Sequence, residues 1–258
     1  MTLEGKVIAV LGASSGIGEG IAREALKYSP RGIVLGARTV NKLEKIADYI
    51  RNKGVDVLVI PTDVLAPSEN QNSFTNFLRL TIERYGRLDI LISSAGVLQE
   101  EKPTEKLTRE EIEKIVSTNY LQVAYSAPEI AGLFKQQKAG IYVIISSHAG
   151  SKHFPFEMAY NSSKAGASSV VATLDNEFSE LRKEADKRKE KMPLWAIALE
   201  PGFTDTEEAK RVFKKYRKEI ESSQTPEQFA QLVIEYILNP EQKYEANNRS
   251  PIYLLSKD

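Results

Sequence analysis

The chain has 258 residues, 41% of them apolar, with 35 basic and 35 acidic side chains and no cysteine. That length suits one large α/β domain better than two small ones. Zero net charge gives nothing to draw the protein toward nucleic acid or an anionic membrane, and without cysteine there is no disulfide, thiolate metal site or cysteine nucleophile.

The opening, MTLEGKVIAVLGASSG, lacks the basic start, apolar stretch and cleavage site of a signal peptide, and no apolar run approaches a membrane span, so a cytoplasmic protein is expected. The first apolar, β-branched run, KVIAVL at 6–11, reads as a strand buried on both faces. It feeds GASSGIG, Gly12 to Gly18, which opens a helix over 16–28. Glycines between a strand and a helix let the backbone approach a pyrophosphate, whose charge suits the helix N-terminus, although a glycine turn alone is weak evidence. A second strand at 32–37 ends in Leu35-Gly36-Ala37-Arg38-Thr39 and leads into a helix over 40–53.

A third strand, 55–60, runs into Thr62-Asp63-Val64, then a helix over 71–86 and a strand at 88–93. Helix 107–134, strand 140–146, helix 158–190, strand 194–199, helix 226–238 and strand 252–255 complete a βαβ alternation. The pattern predicts one domain over 1–258 with a seven-stranded parallel sheet and helices on both faces. Its cofactor half would be about 1–140 and its catalytic and substrate half about 141–258. The stretch 182–191 mixes charge signs closely and reads as the solvated end of a long helix. Residues 203–225 are polar without core periodicity and read as a mobile flap near a site.

In AYNSSK, Tyr160 and Lys164 share one helix face, so an ammonium can depress the pKa of a phenol that otherwise ionises near ~10. The alternative is an incidental surface pair. Ser147 precedes Tyr160 just past the fifth strand. His148 and His153 are not at ligand spacing, and no metal site is expected; both are placed beside the pocket. Phe154, Phe156, Met158, Val97, Leu98 and Phe203 suggest an apolar substrate pocket, with core packing as the competing explanation.

Taken together, Gly12-x-x-x-Gly16-Ile17-Gly18, Ser93-Ser94-Ala95-Gly96, Asn119, Ile145-Ser146-Ser147, Tyr160-x-x-x-Lys164 and Pro201-Gly202 resemble, in order, the short-chain dehydrogenase/reductase family. The resemblance covers essentially the whole chain. It implies Tyr160 as general acid and base, and Lys164 lowering its pKa and binding the nicotinamide ribose. It further implies Ser147 holding the substrate oxygen, with Ser146 the lesser candidate, and Asn119 holding a relay water or serving structure alone. It also implies cofactor contacts from Gly12, Ser14, Ser15, Gly16, Ile17 and Gly18, from Asp63, Val64, Ala95 and Gly96, from Tyr160 and Lys164, and from Pro201, Gly202, Thr204 and Thr206. Asp63 is equally a routine turn former.

At the end of the second strand an acid would hold the ribose 2′-hydroxyl of NAD, whereas Arg38 suits the 2′-phosphate, so NADP(H) is expected. The family's usual threonine is Leu11 here, and its usual Asn-Asn is Ser93-Ser94. These departures touch cofactor support. The chain between Tyr160 and Pro201 is longer than the family norm, the extra residues falling in the charged helix end. The resemblance implies a small-molecule carbonyl or alcohol substrate and a homodimer through helices 107–134 and 158–180, or else a tetramer; the ending SPIYLLSKD lacks the Asp-Gly-Gly of many tetrameric relatives. The rival reading is a regulatory or scaffold protein that binds NADP and turns nothing over.

Overall fold

A computed structural model describes residues 2–248 and 250–255; the last three residues of the ending, 256–258, lie outside the described residues. Seven parallel strands, β1 (Val7–Leu11), β2 (Gly32–Ala37), β3 (Asp56–Pro61), β4 (Ile90–Ser93), β5 (Gly140–Ile145), β6 (Leu194–Pro201) and β7 (Ile252–Leu255), form one sheet in the order β3-β2-β1-β4-β5-β6-β7. Strands β1, β5 and β6 are buried along their full lengths, which is why they read as unbroken apolar runs. Only β3, at the edge, alternates exposed and buried positions.

Three helices, α1 (Gly16–Ala25), α2 (Val40–Arg51) and α3 (Phe74–Tyr85), follow the first three strands. Beyond β4 come α4 (Arg109–Val116) and α5 (Gln122–Gln137), and beyond β5 a short α6 (Ala149–Lys152) and a long α7 (Met158–Lys187). Past β6 lie α8 (Glu207–Val212), α9 (Arg217–Glu221), α10 (Pro226–Leu238) and α11 (Pro240–Ala246). One core joins α1, α2 and α10 to the sheet through Ile21, Leu43, Ile46, Phe229 and Val233 packed with Ile8, Val10, Ile33 and Leu35. The opposite core joins α3, α5 and α7 through Phe77, Phe134, Val171 and Phe178 packed with Ala9, Val34 and Tyr142. Strand order reverses between β1 and β4, and the crevice at their carboxyl ends is where α/β sheets of this kind bind ligands.

Three readings of the sequence need correction. The helix expected over 107–134 is interrupted: between α4 and α5 the backbone makes a π turn over Ser117–Leu121, a rare local widening often found at functional sites. The expected solvated stretch 182–191 is not wholly solvated, because Arg182 turns inward to the fully buried Asp175, at 3.1 Å, and stacks 3.8 Å over Trp195. Residues 203–225 are not a featureless flap. They form α8, a 3₁₀ turn and α9 around a small core of Ala209, Phe213 and Ile220, and the segment starts and ends together, where Thr204 bridges Gln224 and the Asp205 amide donates to the Gln224 carbonyl at 2.9 Å. Its buried side chains, with Val212 and Tyr216 packed partly buried against them, are spread over three short elements and so do not show as one period.

Candidate active site

The site begins where β1 passes into α1. Gly12 has φ +75°, and a Cβ there would stand 2.6 Å from the Ala95 nitrogen; a Cβ on Gly18 would stand 2.3 Å from the Gly12 carbonyl oxygen. Neither position admits a side chain, so the loop lies flat against the β4 exit. Ser15 is the N-cap of α1, yet its hydroxyl makes no capping bond, unlike Ser73, Thr108, Thr206 and Thr225 at other helices. The first amides of α1 therefore lack a side-chain acceptor, and Ser14, Ser15, Gly16 and Ile17 line the cleft. Leu11 gives the loop no hydroxyl, but the backbone holds it: Gly12 N donates to Gly36 O at 2.8 Å and Ser94 N to Leu11 O at 3.0 Å, while the Leu11 side chain joins the core. At the other departure, Ser93 Oγ donates to Gln122 Oε1 on α5 at 3.1 Å.

At the end of β2, Arg38 is exposed, lines the cleft with Lys42, and forms no ion pair among the described residues. No carboxylate occupies that strand end. Past β3, Asp63 and Val64 line the cleft, and Asp63 Oδ1 accepts the Leu65 amide at 3.0 Å, so it is a turn former whatever else it contacts.

The four residues expected to carry the chemistry converge. Ser147, between β5 and α6, lies close enough to the Tyr160 phenol to favour its anion, and the Lys164 ammonium lies 5.7 Å from the Tyr160 ring centroid. Burial pushes the phenol pKa up, Ser147 opposes this, and Glu157 and Glu208 add to the rise. The net direction for Tyr160 is thus upward, set by burial. Lys164 is 6% exposed and donates to Ile145 O at 2.9 Å; burial lowers its pKa to about 8, with Glu208 and Glu200 pulling the other way. The side chain of Asn119, in the π turn, is engaged with protein: Oδ1 accepts Val97 N at 2.8 Å, and Nδ2 donates to Val97 O and Ser163 Oγ. Any water it holds must use the second Oδ1 lone pair or the main chain. A Cβ on Gly96 would come within 3.2 Å of Asn119 Oδ1 and 3.5 Å of Lys164 Nζ, so its bareness keeps the two polar groups accessible.

The lesser candidate, Ser146, points away from the cleft chemistry into a buried chain of Ser146, Ser168, Glu200 and Ser151. On the far rim, Pro201, Gly202, Thr204 and Thr206 all line the cleft. Thr206 caps α8, accepting Ala209 N at 3.1 Å, and the buried Thr204 hydroxyl has no partner. Of the expected pocket residues, Val97, Leu98, His148, Phe154 and Phe203 line the cleft; His153, Phe156 and Met158 do not and are exposed. His153 and Phe156 adopt positive φ, +53° and +67°, which reverses the chain there and swings both outward.

Two residues that the sequence left unmarked shape this site. Gln99 is 3% exposed and spans the cleft wall, accepting Tyr160 N at 3.0 Å and donating to Phe156 O at 2.8 Å. Glu157, at the start of α7, is buried in the wall beside Tyr160. Nothing in the spacing marks either one, since each acts through a tertiary contact. Among the described residues no group of three or more His, Asp or Glu is disposed to hold a metal, and no helix is long and apolar enough to cross a membrane.

A family model described as short chain dehydrogenase matches residues 6–217. An uncharacterized oxidoreductase of Listeria innocua is 32% identical over 180 residues, 70% of either chain. By structure, the chain resembles a 3-ketoacyl-(acyl-carrier-protein) reductase from Brucella melitensis complexed with NADH, with a TM-score of 0.80, 23% identity and coverage of 98% of this chain and 97% of that one. It also resembles an alcohol dehydrogenase of the archaeon Thermococcus sibiricus complexed with 5-hydroxy-NADP, with a TM-score of 0.71, 25% identity and coverage of 97% and 95%.

Proposed function

The chain belongs to the short-chain dehydrogenase family of oxidoreductases, and on that premise we propose that it moves hydride between NADP(H) and a small-molecule carbonyl or alcohol. One observation carries the reading: Ser147 and the Tyr160 phenol lie beside a buried ammonium in the cleft that the glycine loop enters.

The residues fit a dinucleotide. The bare glycines and uncapped α1 suit a pyrophosphate, and the buried, partnerless Thr204 hydroxyl suits an amide at the far end. When bound, the nicotinamide supplies or accepts the hydride. In reduction Tyr160 gives its proton to the substrate oxygen, and in oxidation the phenolate takes one back. Burial keeps that proton in place near neutrality, so Tyr160 begins as an acid. Ser147 donates to the same oxygen and holds the charge that builds on it. Lys164, anchored on Ile145 O, has further N–H donors for ribose hydroxyls, and its charge favours the phenolate once the proton has left. Asn119 fixes the Val97 loop beside them.

NADP rather than NAD rests on this chain's own β2 exit, where the unpaired Arg38 stands without a competing acid. Cofactor contacts belong mainly to residues 1–140 and substrate contacts to 141–258, with Val97 and Leu98 reaching across. A homodimer is supported by the groove between α5 and α7, lined by Tyr120, Ala127, Ala131, Gly166 and Val170, with Tyr125 on α5 62% exposed. Light scattering tests it, and a monomer at micromolar concentration rejects it. The activity is tested by following NADPH absorbance against a panel of ketones, aldehydes, sugars and steroid substrates. Binding of NADPH without turnover of any of them would leave a scaffold.

A further inference from the structure

The wall facing Tyr160 carries an unusual carboxylate. Glu157 is 8% exposed, occupies the N-cap of α7 and makes no capping bond; among the described residues its carboxylate has neither hydrogen bond nor ion pair. Its neighbour Glu101 is satisfied, with Lys215 at 2.5 Å, so the one nearby ammonium is already engaged. The charged groups acting on Glu157 are Glu101, which repels its anion, and Lys215, which only partly offsets burial; its pKa is raised to about 7. Its side chain lines the same cleft as the phenol, so the carboxylate, without an internal donor, is open to a partner that enters the cleft. The same cleft is lined by aromatic residues, Phe154 and Phe203, the latter with its ring 5.8 Å from both Phe213 and Tyr216.

We propose that the substrate side of the cleft binds a cationic amino group, with Glu157 as its counter-ion, so that the substrate is an amino ketone or the matching amino alcohol. This rests on the oxidoreductase reading above. A hydroxyl would give Glu157 one hydrogen bond but leave its charge and the repulsion from Glu101 uncompensated. An ammonium supplies both the donor and the opposite charge, and the aromatic faces favour it further.

The test is a series of phenyl ketones in which one, two or three methylenes separate the carbonyl from a dimethylamino group. Each is compared with the isostere in which isopropyl replaces that group, by NADPH oxidation and by calorimetric titration into the NADP-loaded protein. The expected result is a preference for one cationic member of at least about tenfold in kcat/KM, a factor that one charge-assisted hydrogen bond readily supplies, expressed in KM. Glu157→Gln should erase the preference while turnover of the neutral ketone continues, and Glu157→Asp should keep part of it. Equal use of both members, or a preference that survives Glu157→Gln, overturns the proposal. So does NADPH binding with turnover of neutral ketones but no affinity for any amine, an outcome that leaves the oxidoreductase reading standing. Absence of NADPH binding removes that reading, and this inference with it.

Discussion

The main-chain amide of Tyr160 is held by the side-chain oxygen of Gln99 at 3.0 Å, across 61 residues of sequence. The Gln99 side-chain nitrogen donates to Phe156 O at 2.8 Å, so one side chain sets where α7 starts and hence where the phenol stands. Gln99→Leu should leave the buried Tyr160 N–H unpaired, at about 1–3 kcal/mol, while Phe156 O keeps the Lys102 amide at 3.0 Å. We expect a lower melting temperature and a reduced kcat with little change in NADPH affinity. An unaltered kcat would show that Gln99 does not position the phenol.

Tyr160→Phe removes the proton while keeping the ring. Turnover should fall by at least the ~10²–10⁴-fold that general acid catalysis contributes, with NADPH titrating nearly as before. Lys164→Ala should harm both rate and cofactor affinity. Wild-type hydride transfer in the phenylalanine variant would make the pair structural.

Exchanging Ala37→Asp together with Arg38→Ala removes the cation at the β2 exit and installs an acceptor for a ribose hydroxyl. NADP should weaken and NAD improve, by about 1–3 kcal/mol for one charge-assisted contact. Equal affinity of the unmodified protein for NAD and NADP, measured by titration, would refute the preference.

Glu157 links stability to pH. Burial raises its folded pKa to about 7 from the ordinary 4.5, so folding takes up a proton between those values. Its contribution is fully present below about pH 4.5 and is lost as pH rises through 7. Glu157→Gln should therefore be more stable than the parent at pH 8, by about 3 kcal/mol at most, and equal to it at pH 4. Denaturant melts at both pH values check this; a constant difference would mean that folding does not shift the Glu157 pKa.

Much of the scaffold is written in local pattern. Runs such as GIYVIIS announce a strand because β5 is buried on both faces, and helix 226–238 announces itself because Thr225 and Gln228 form a capping box ahead of an apolar face. The loop glycines, Ser147, Tyr160 and Lys164 are legible as a motif because the proposed chemistry would require those side chains at fixed spacing. What escaped depends on the third dimension. Gln99 and Glu157 matter only through their burial against residues far away or with no partner at all, and the π turn at Asn119 leaves no mark in hydrophobic periodicity. The raised pKa of Tyr160 follows from enclosure, which no i,i+4 spacing reveals.

The joined base of the α8–α9 excursion makes that stretch an exchangeable part. Since the chain leaves β6 and returns to α10 at one point, clasped by Thr204 and Gln224, its length and contents can drift without shifting the register of the sheet or the first turn of α10. Phe213 and Tyr216 travel with it, while Ser147, Tyr160 and Lys164 stay behind on the scaffold. A grafted excursion from a relative, joined at 204 and 224, should change which molecules enter while the hydride step remains intact.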